Sequence, residues 1–132
     1  MKSEFENELE SYDLDEKKII YIAGKYSGKT HIETEYNILM AKQAMLELSR
    51  LGWIVYCPHM NSAMLHIYKD LSDEYWYAHG LRMLSKCDAI FMLPNYVDSK
   101  GAINEMLYAK ELGIPIIKWG FYLSPKEVFG DE

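Results

Sequence analysis

Continuous apolar runs alternate along this chain with segments whose apolar residues recur every three or four positions, and glycine or proline marks most changes of pattern. Ile19, Ile20, Tyr21, Ile22 and Ala23, ended by Gly24, read as a strand buried on both faces, because a half-exposed strand would alternate apolar with polar. Ile32, Tyr36, Met40, Ala44, Leu48 and Leu51 then recur at helical spacing, and Gly52 supplies a stop. Residues 53–57 predict a second short strand, closed by Pro58, which cannot donate to a ladder. Residues 58–72 have no clear period and predict a long loop or short helix over a pocket, carrying His59, Asn61, His66 and Tyr68. Ser72 is placed to cap a second helix that runs to about Lys86, with Asp73 and Glu74 in its first turn. Residues 89–93 predict a third strand and 94–100 a loop. A third helix over 101–112, stopped by Gly113 and Pro115, leads to a fourth strand over 114–119.

Buried strands alternating with helices imply an α/β fold. The expected form is a single three-layer, doubly wound domain: a parallel sheet of four or five strands in the flavodoxin-like order 2-1-3-4, with helices on both faces. Such sheets bind ligands at the carboxyl ends of their strands near the switch point between the first and third, which here brings residues 24–30 beside residues 94–105. A length of 132 residues allows one core. The expected division is an acidic, flexible N-terminal tail over 1–17, a domain over 18–120 and a C-terminal tail over 121–132 that packs locally or reaches a neighbouring subunit.

Charge narrows the partners. The net charge of −6 resides in the first sixteen residues, where Glu4, Glu6, Glu8, Glu10, Asp13, Asp15 and Glu16 oppose Lys2, so the remainder is neutral. A neutral domain with an acidic tail has no electrostatic footprint for polymeric DNA or RNA. No apolar run reaches the length of about eighteen residues needed to span a bilayer, and the acidic start is unlike a signal peptide, so a soluble, cytoplasmic protein is expected. Cys57 and Cys87 match no metal-ligand spacing, and Cys57, His59 and His66 do not amount to a metal site.

The loop Gly24-Lys25-Tyr26-Ser27-Gly28-Lys29-Thr30 ends like a phosphate-binding P-loop, but that motif requires glycine where Ala23 stands. A dinucleotide fingerprint fails as well, since there is no third glycine and no acidic residue ending the second strand. Two readings stay open: a turn whose backbone N–H groups hold an anion while Tyr26 stacks on a base, or a plain strand-to-helix turn.

Residues 99–105 carry more. Ser99 and Gly101 fall at the start of the third helix, where unpaired N–H groups favour an anion, although Ser99 is equally an ordinary N-cap. Glu105 shares a helical face with Ala102, Ala109 and Leu112, so its carboxylate should point inward toward the strand ends. Taken with Lys86-Cys87-Asp88-Ala89-Ile90, with Leu112-Gly113-Ile114-Pro115 and with Tyr21-Ile22-Ala23-Gly24 at the front, Ser99-x-Gly101-x-x-x-Glu105 resembles the nucleoside 2-deoxyribosyltransferases. It is equally similar to their relatives, the deoxynucleoside monophosphate N-hydrolases. The likeness runs from Lys18 to Lys118 and is nearest to an uncharacterised bacterial and phage branch of that superfamily.

The resemblance implies that Glu105 is the nucleophile that attacks C1′ of a deoxyribose and expels the base, chemistry suited to a carboxylate facing an oxocarbenium-like transition state. It implies that Ser99 holds a 5′-phosphate, that the loop of Gly24, Tyr26 and Ser27 lines the sugar and base site, that no cofactor is used, and that subunits associate as a homo-oligomer. Relatives carry an aspartate eight residues before the position of Asp88; here Gly80 occupies it, and the adjacent His79 is the alternative proton donor. Asp88 itself is either a substrate ligand or a turn residue at the strand's entry. The function expected is cleavage or transfer at the N-glycosidic bond of a deoxynucleoside or its monophosphate. The alternatives are a non-catalytic protein that sequesters or senses a nucleotide or an ADP-ribose-like ligand, and an interaction module.

Overall fold

The computed structural model of the chain describes residues 1–12, 17–61 and 70–130. Four parallel strands, β1 (Ile19–Ala23), β2 (Ile54–Tyr56), β3 (Ala89–Met92) and β4 (Ile116–Lys118), form one sheet in the order β2-β1-β3-β4. The order is the expected one, with four strands. Both central strands are buried from end to end or nearly so, which is why their sequences read as unbroken apolar runs. In register, Tyr21 stands between Tyr56 and Ile90.

Strand alternation divides β1 between two cores. Ile20 and Ile22 face α2 (His31–Arg50), packing with Ala41, Ala44 and Leu48. Tyr21 and Ala23 face the opposite side, against Leu84 of α4 (Asp73–Leu84) and Ala102 and Ala109 of α5 (Lys100–Leu112). A tyrosine is thereby turned from the middle of the sheet toward the helix that carries Glu105.

Local chemistry sets the boundaries. Thr30, Ser72 and Ser99 cap α2, α4 and α5, each accepting a hydrogen bond from the third residue beyond it. Gly113 ends α5 with φ of 77°, a left-handed conformation that glycine adopts without strain. The amide of Ile114 donates back to the Ala109 carbonyl in that cap, so β4 begins two residues later than its apolar run suggests. Trp53 likewise donates to Leu48, which trims β2 to three residues. Residues 94–98, expected as loop, form a 3-10 helix entered at Pro94.

Two further expectations change. Ile32 and Tyr36 of α2 are exposed, and the buried face runs through Asn37, Ala41, Ala44 and Leu48. Within the acidic segment expected as a flexible tail, Glu4–Ser11 is a helix, α1, closed by a capping box between Ser3 and Glu6. The C-terminal segment packs onto the domain: Tyr122 stacks on Phe91, the Trp53 indole donates to the Leu123 carbonyl, and Phe129 of α6 (Pro125–Phe129) meets Trp53 edge-on. Pro58–Asn61 is a short helix, α3, whereas His66 and Tyr68 lie outside the described residues.

Candidate functional site

A cavity of about 160 Å³ opens at the carboxyl end of β1. Tyr21 and Gly24 form its floor, Tyr56 and His59 one wall, and Trp76, His79 and Gly80 of α4 another, while Glu105 enters from α5. It lies where a parallel sheet of this order opens its crevice. Of the residues singled out in the sequence, the cavity brings together Glu105, His79, Gly24 and Tyr26.

The centre of the cavity is a hydrogen bond that periodicity did not reveal. The hydroxyl of Tyr21 donates to Oε2 of Glu105, across 84 residues of sequence. Burial raises the Glu105 pKa from 4.5 to about 7, against the opposing pull of that hydrogen bond. Burial first, and then the adjacent Glu105 charge, drives the Tyr21 pKa far upward, so the phenol stays protonated and remains a donor. Tyr56 stacks on the Tyr21 ring at 5.6 Å and fixes its plane. The pair thus presents a carboxylate oriented through one oxygen, with the other available to a ligand. The expected Glu105 face is buried at Ala102 and Ala109, whereas Leu112, the last residue of α5, is exposed.

Gly80 sits against this pair. A Cβ at that position would stand 2.8 Å from the Tyr21 hydroxyl oxygen and 3.7 Å from Glu105 Oε2. The position where the resemblance led to the expectation of an aspartate therefore does face the site, and here its space belongs to the tyrosine hydroxyl. His79, its neighbour, also reaches the cavity, held in an aromatic cluster with Tyr75 and Trp76. The indole N–H of Trp76, one helical turn before Gly80, is buried with no hydrogen-bond partner among the described residues.

Three N–H groups of the glycine loop are already bonded, which favours the reading of a strand-to-helix turn over that of an anion cradle. Gly28 N–H donates to Thr34 Oγ1 at 2.9 Å, Lys29 N–H to Glu33 Oε2 at 2.6 Å, and Lys25 N–H to Asn95 Oδ1 at 3.0 Å. The Glu33 carboxylate occupies the place where an anion would bind. Asn95 also donates to Asn37, which donates to the Tyr26 carbonyl, and the His59 ring bonds the Lys25 carbonyl at 3.1 Å. Burial lowers the His59 pKa, so a neutral ring donating to that carbonyl fits the contact. Gly24 is needed for close packing: a Cβ there would lie 2.6 Å from Leu93 Cδ1. Ser27 is exposed and lies outside the cavity wall.

Ser99, Gly101 and Asp88 are also off the wall. The Ser99 hydroxyl accepts from the Ala102 N–H, the ordinary N-cap role, and Gly101 lies in the first turn of the same helix. Asp88 stands at the opposite end of the sheet, where its carboxylate accepts from the Ile19 N–H at 2.8 Å; it ties the entries of β1 and β3 and cannot reach the cavity. Sequence reasoning missed the hydrogen-bonding role of Tyr21 and the Asn37–Asn95 pair, whereas Trp76 was expected in an aromatic lid with Tyr75 and stands in the cavity wall. The available signals were a phenol within an otherwise aliphatic strand and an asparagine on the inner face of a helix. Among the described residues no group of histidine, cysteine, aspartate and glutamate side chains converges as a metal site. Among the described residues no helix is long and apolar enough to cross a membrane.

Comparison with solved structures finds this fold in a 2-deoxyribosyltransferase from Bacillus psychrosaccharolyticus, described as a biocatalyst for the synthesis of antiviral and antitumoral nucleosides. The TM-score is 0.56 at 21% identity, over 76% of this chain and 70% of that one. No curated protein matches. Residues 18–118 match the family model described as Domain of unknown function (DUF4406), which takes in every strand of the sheet together with Tyr21 and Glu105, and the chain belongs to that family.

Proposed function

We propose that the cavity binds a deoxynucleoside or its 5′-monophosphate and that Glu105 cleaves its N-glycosidic bond by nucleophilic attack. The observation that carries this reading is the Tyr21–Glu105 hydrogen bond in an aromatic-walled cavity at the strand ends. A carboxylate held there by one oxygen can direct the other at an anomeric carbon. The bond from Glu105 to C1′ forms as the C1′–N bond breaks; its electron pair leaves with the base, which takes a proton from the His79 side of the cavity. Water or a second base then attacks C1′, and the ester bond breaks to regenerate the carboxylate. Trp76 supplies an N–H for an acceptor on the base. The Ser99 hydroxyl, which accepts from Ala102, retains a proton to donate and stands six residues, about 9 Å along the helix, from Glu105. That spacing is the support for a 5′-phosphate on the ligand.

The glycine at position 80 favours a second reading, a non-catalytic binder of a nucleotide or ADP-ribose-like ligand, because it removes the carboxylate that relatives place beside the leaving base. One experiment separates the two. The purified protein is incubated with deoxynucleosides and their monophosphates, and free base is followed by chromatography. Release that Glu105→Ala abolishes supports the enzyme. Ligand-induced thermal stabilisation without release supports the binder, and the absence of both overturns the nucleotide site.

A further inference from the structure

The proposed reaction uses neither α1 nor the outer edge of the sheet, and the two have complementary surfaces. Phe5, Leu9 and Tyr12 are spaced four and three residues apart, so they form one stripe along α1 and its C-cap. Their exposures are 78%, 46% and 68%, so the domain of their own chain does not cover the stripe. Glu4, Glu6, Glu8 and Glu10 share the rest of the helix with Asn7 and Ser11; Glu6 is held in the capping box with Ser3 and Glu10 pairs with Lys2, which leaves Glu4 and Glu8 as the carboxylates available to a partner. An eight-residue helix has little stability alone, and an apolar stripe of this kind is the part of an amphipathic helix that is ordinarily buried. Its negative charge opposes an anionic lipid surface or a nucleic acid. The surface it fits is apolar with a basic rim.

That surface lies between α5 and β4. Met106, Leu107, Ile116 and Phe121 line an open groove of about 610 Å³, and Lys110 and Lys118 border it. Leu107 and Phe121 are 53% and 68% exposed. The groove runs beside β4, a sheet edge about 10 Å long, while α1 is about 12 Å long. Length, apolar character and charge therefore match.

We propose that α1 of one copy docks in the α5–β4 groove of a second copy, and that reciprocal exchange makes a homodimer with two identical contacts. Phe5, Leu9 and Tyr12 enter the groove, and the flanking glutamates face Lys110 and Lys118. Exchange of one element between like chains closes under a two-fold axis, so both grooves and both stripes are covered. The contact is independent of the chemistry at Glu105.

The test uses the full chain at micromolar concentration in light scattering coupled to size exclusion, with far-UV circular dichroism to verify folding. A dimer is expected. Leu9→Glu and, separately, Leu107→Glu should each weaken association at least tenfold while the circular dichroism spectrum is retained, since neither side chain belongs to a core. Leu9→Cys and Leu107→Cys chains, mixed and oxidised, should yield a disulfide-linked heterodimer; the native Cys57 and Cys87 are buried and do not compete. A monomeric full chain overturns the proposal, as does a dimer indifferent to both glutamate substitutions. A dimer broken by Leu9→Glu that gives no mixed disulfide overturns the groove as the docking site.

Discussion

Tyr21 and Glu105 act on each other in opposite directions. Burial makes the carboxylate reluctant to ionise, and the phenol's hydrogen bond restores part of its acidity. Tyr21→Phe removes that donor, so the Glu105 pKa should rise above about 7, and nucleoside cleavage at neutral pH should fall roughly 10-fold or more, on the scale of a lost hydrogen bond to a charged group. The pH–rate profile checks this directly: its ascending limb should shift to higher pH, whereas a mere packing defect would lower the rate without moving the limb. Trp76 offers a contrasting case. Its indole N–H has no partner among the described residues, so Trp76→Phe should leave urea stability within about 1 kcal/mol while weakening ligand binding roughly 10-fold. Equal losses of stability and binding would show that the indole serves packing alone.

At the scale of elements, the site depends on a brace that joins three segments. Asn95, after β3, holds both the Lys25 N–H and the Asn37 side chain, and Asn37 in α2 holds the Tyr26 carbonyl. Asn95→Ala leaves part-buried polar groups without partners, so it should cost about 1–3 kcal/mol in equilibrium unfolding and loosen the loop that carries Tyr26. Fast amide exchange at Lys25 in the variant would identify the loosened loop. This brace also shows where sequence reasoning stops. Strand β1, the caps at Ser72 and Ser99 and the inward direction of Glu105 were legible because each depends on neighbours within a few residues. The role of Tyr21 was not, because a tyrosine among isoleucines reads as packing until α5 is placed opposite it. The glycine loop misled for a related reason. Its N–H groups look available in a one-dimensional reading, and only the folded positions of Glu33 and Thr34 show that they are taken. Of the two readings of Asp88, the hydrogen bond from Ile19 supports the turn residue at the entry of β3 over the substrate ligand.

For the molecule as a whole, Glu105 links protonation to stability. Its pKa is about 7 when folded and 4.5 ordinarily, so between those values the native state binds more protons than the unfolded chain. This contribution is full below about pH 4.5 and is lost as pH rises through 7, by up to about 3 kcal/mol. Glu105→Gln should abolish it, and urea titrations of both proteins between pH 5 and 8 would reveal the difference. The parallel sheet has another consequence, one that arises during synthesis. β1 emerges from the ribosome ahead of its sheet partners; one of the two, β3, begins at Ala89, and Tyr21 finds Glu105 only 84 residues later. At ordinary elongation rates of about 5–20 residues per second, the Tyr21 and Ala23 face of that strand waits roughly 4–17 s for α5 to cover it. The acidic segment just ahead of it leaves the ribosome before it and carries a net charge of −6. Like-charge repulsion between nascent chains on the same message would then protect the strand while it waits.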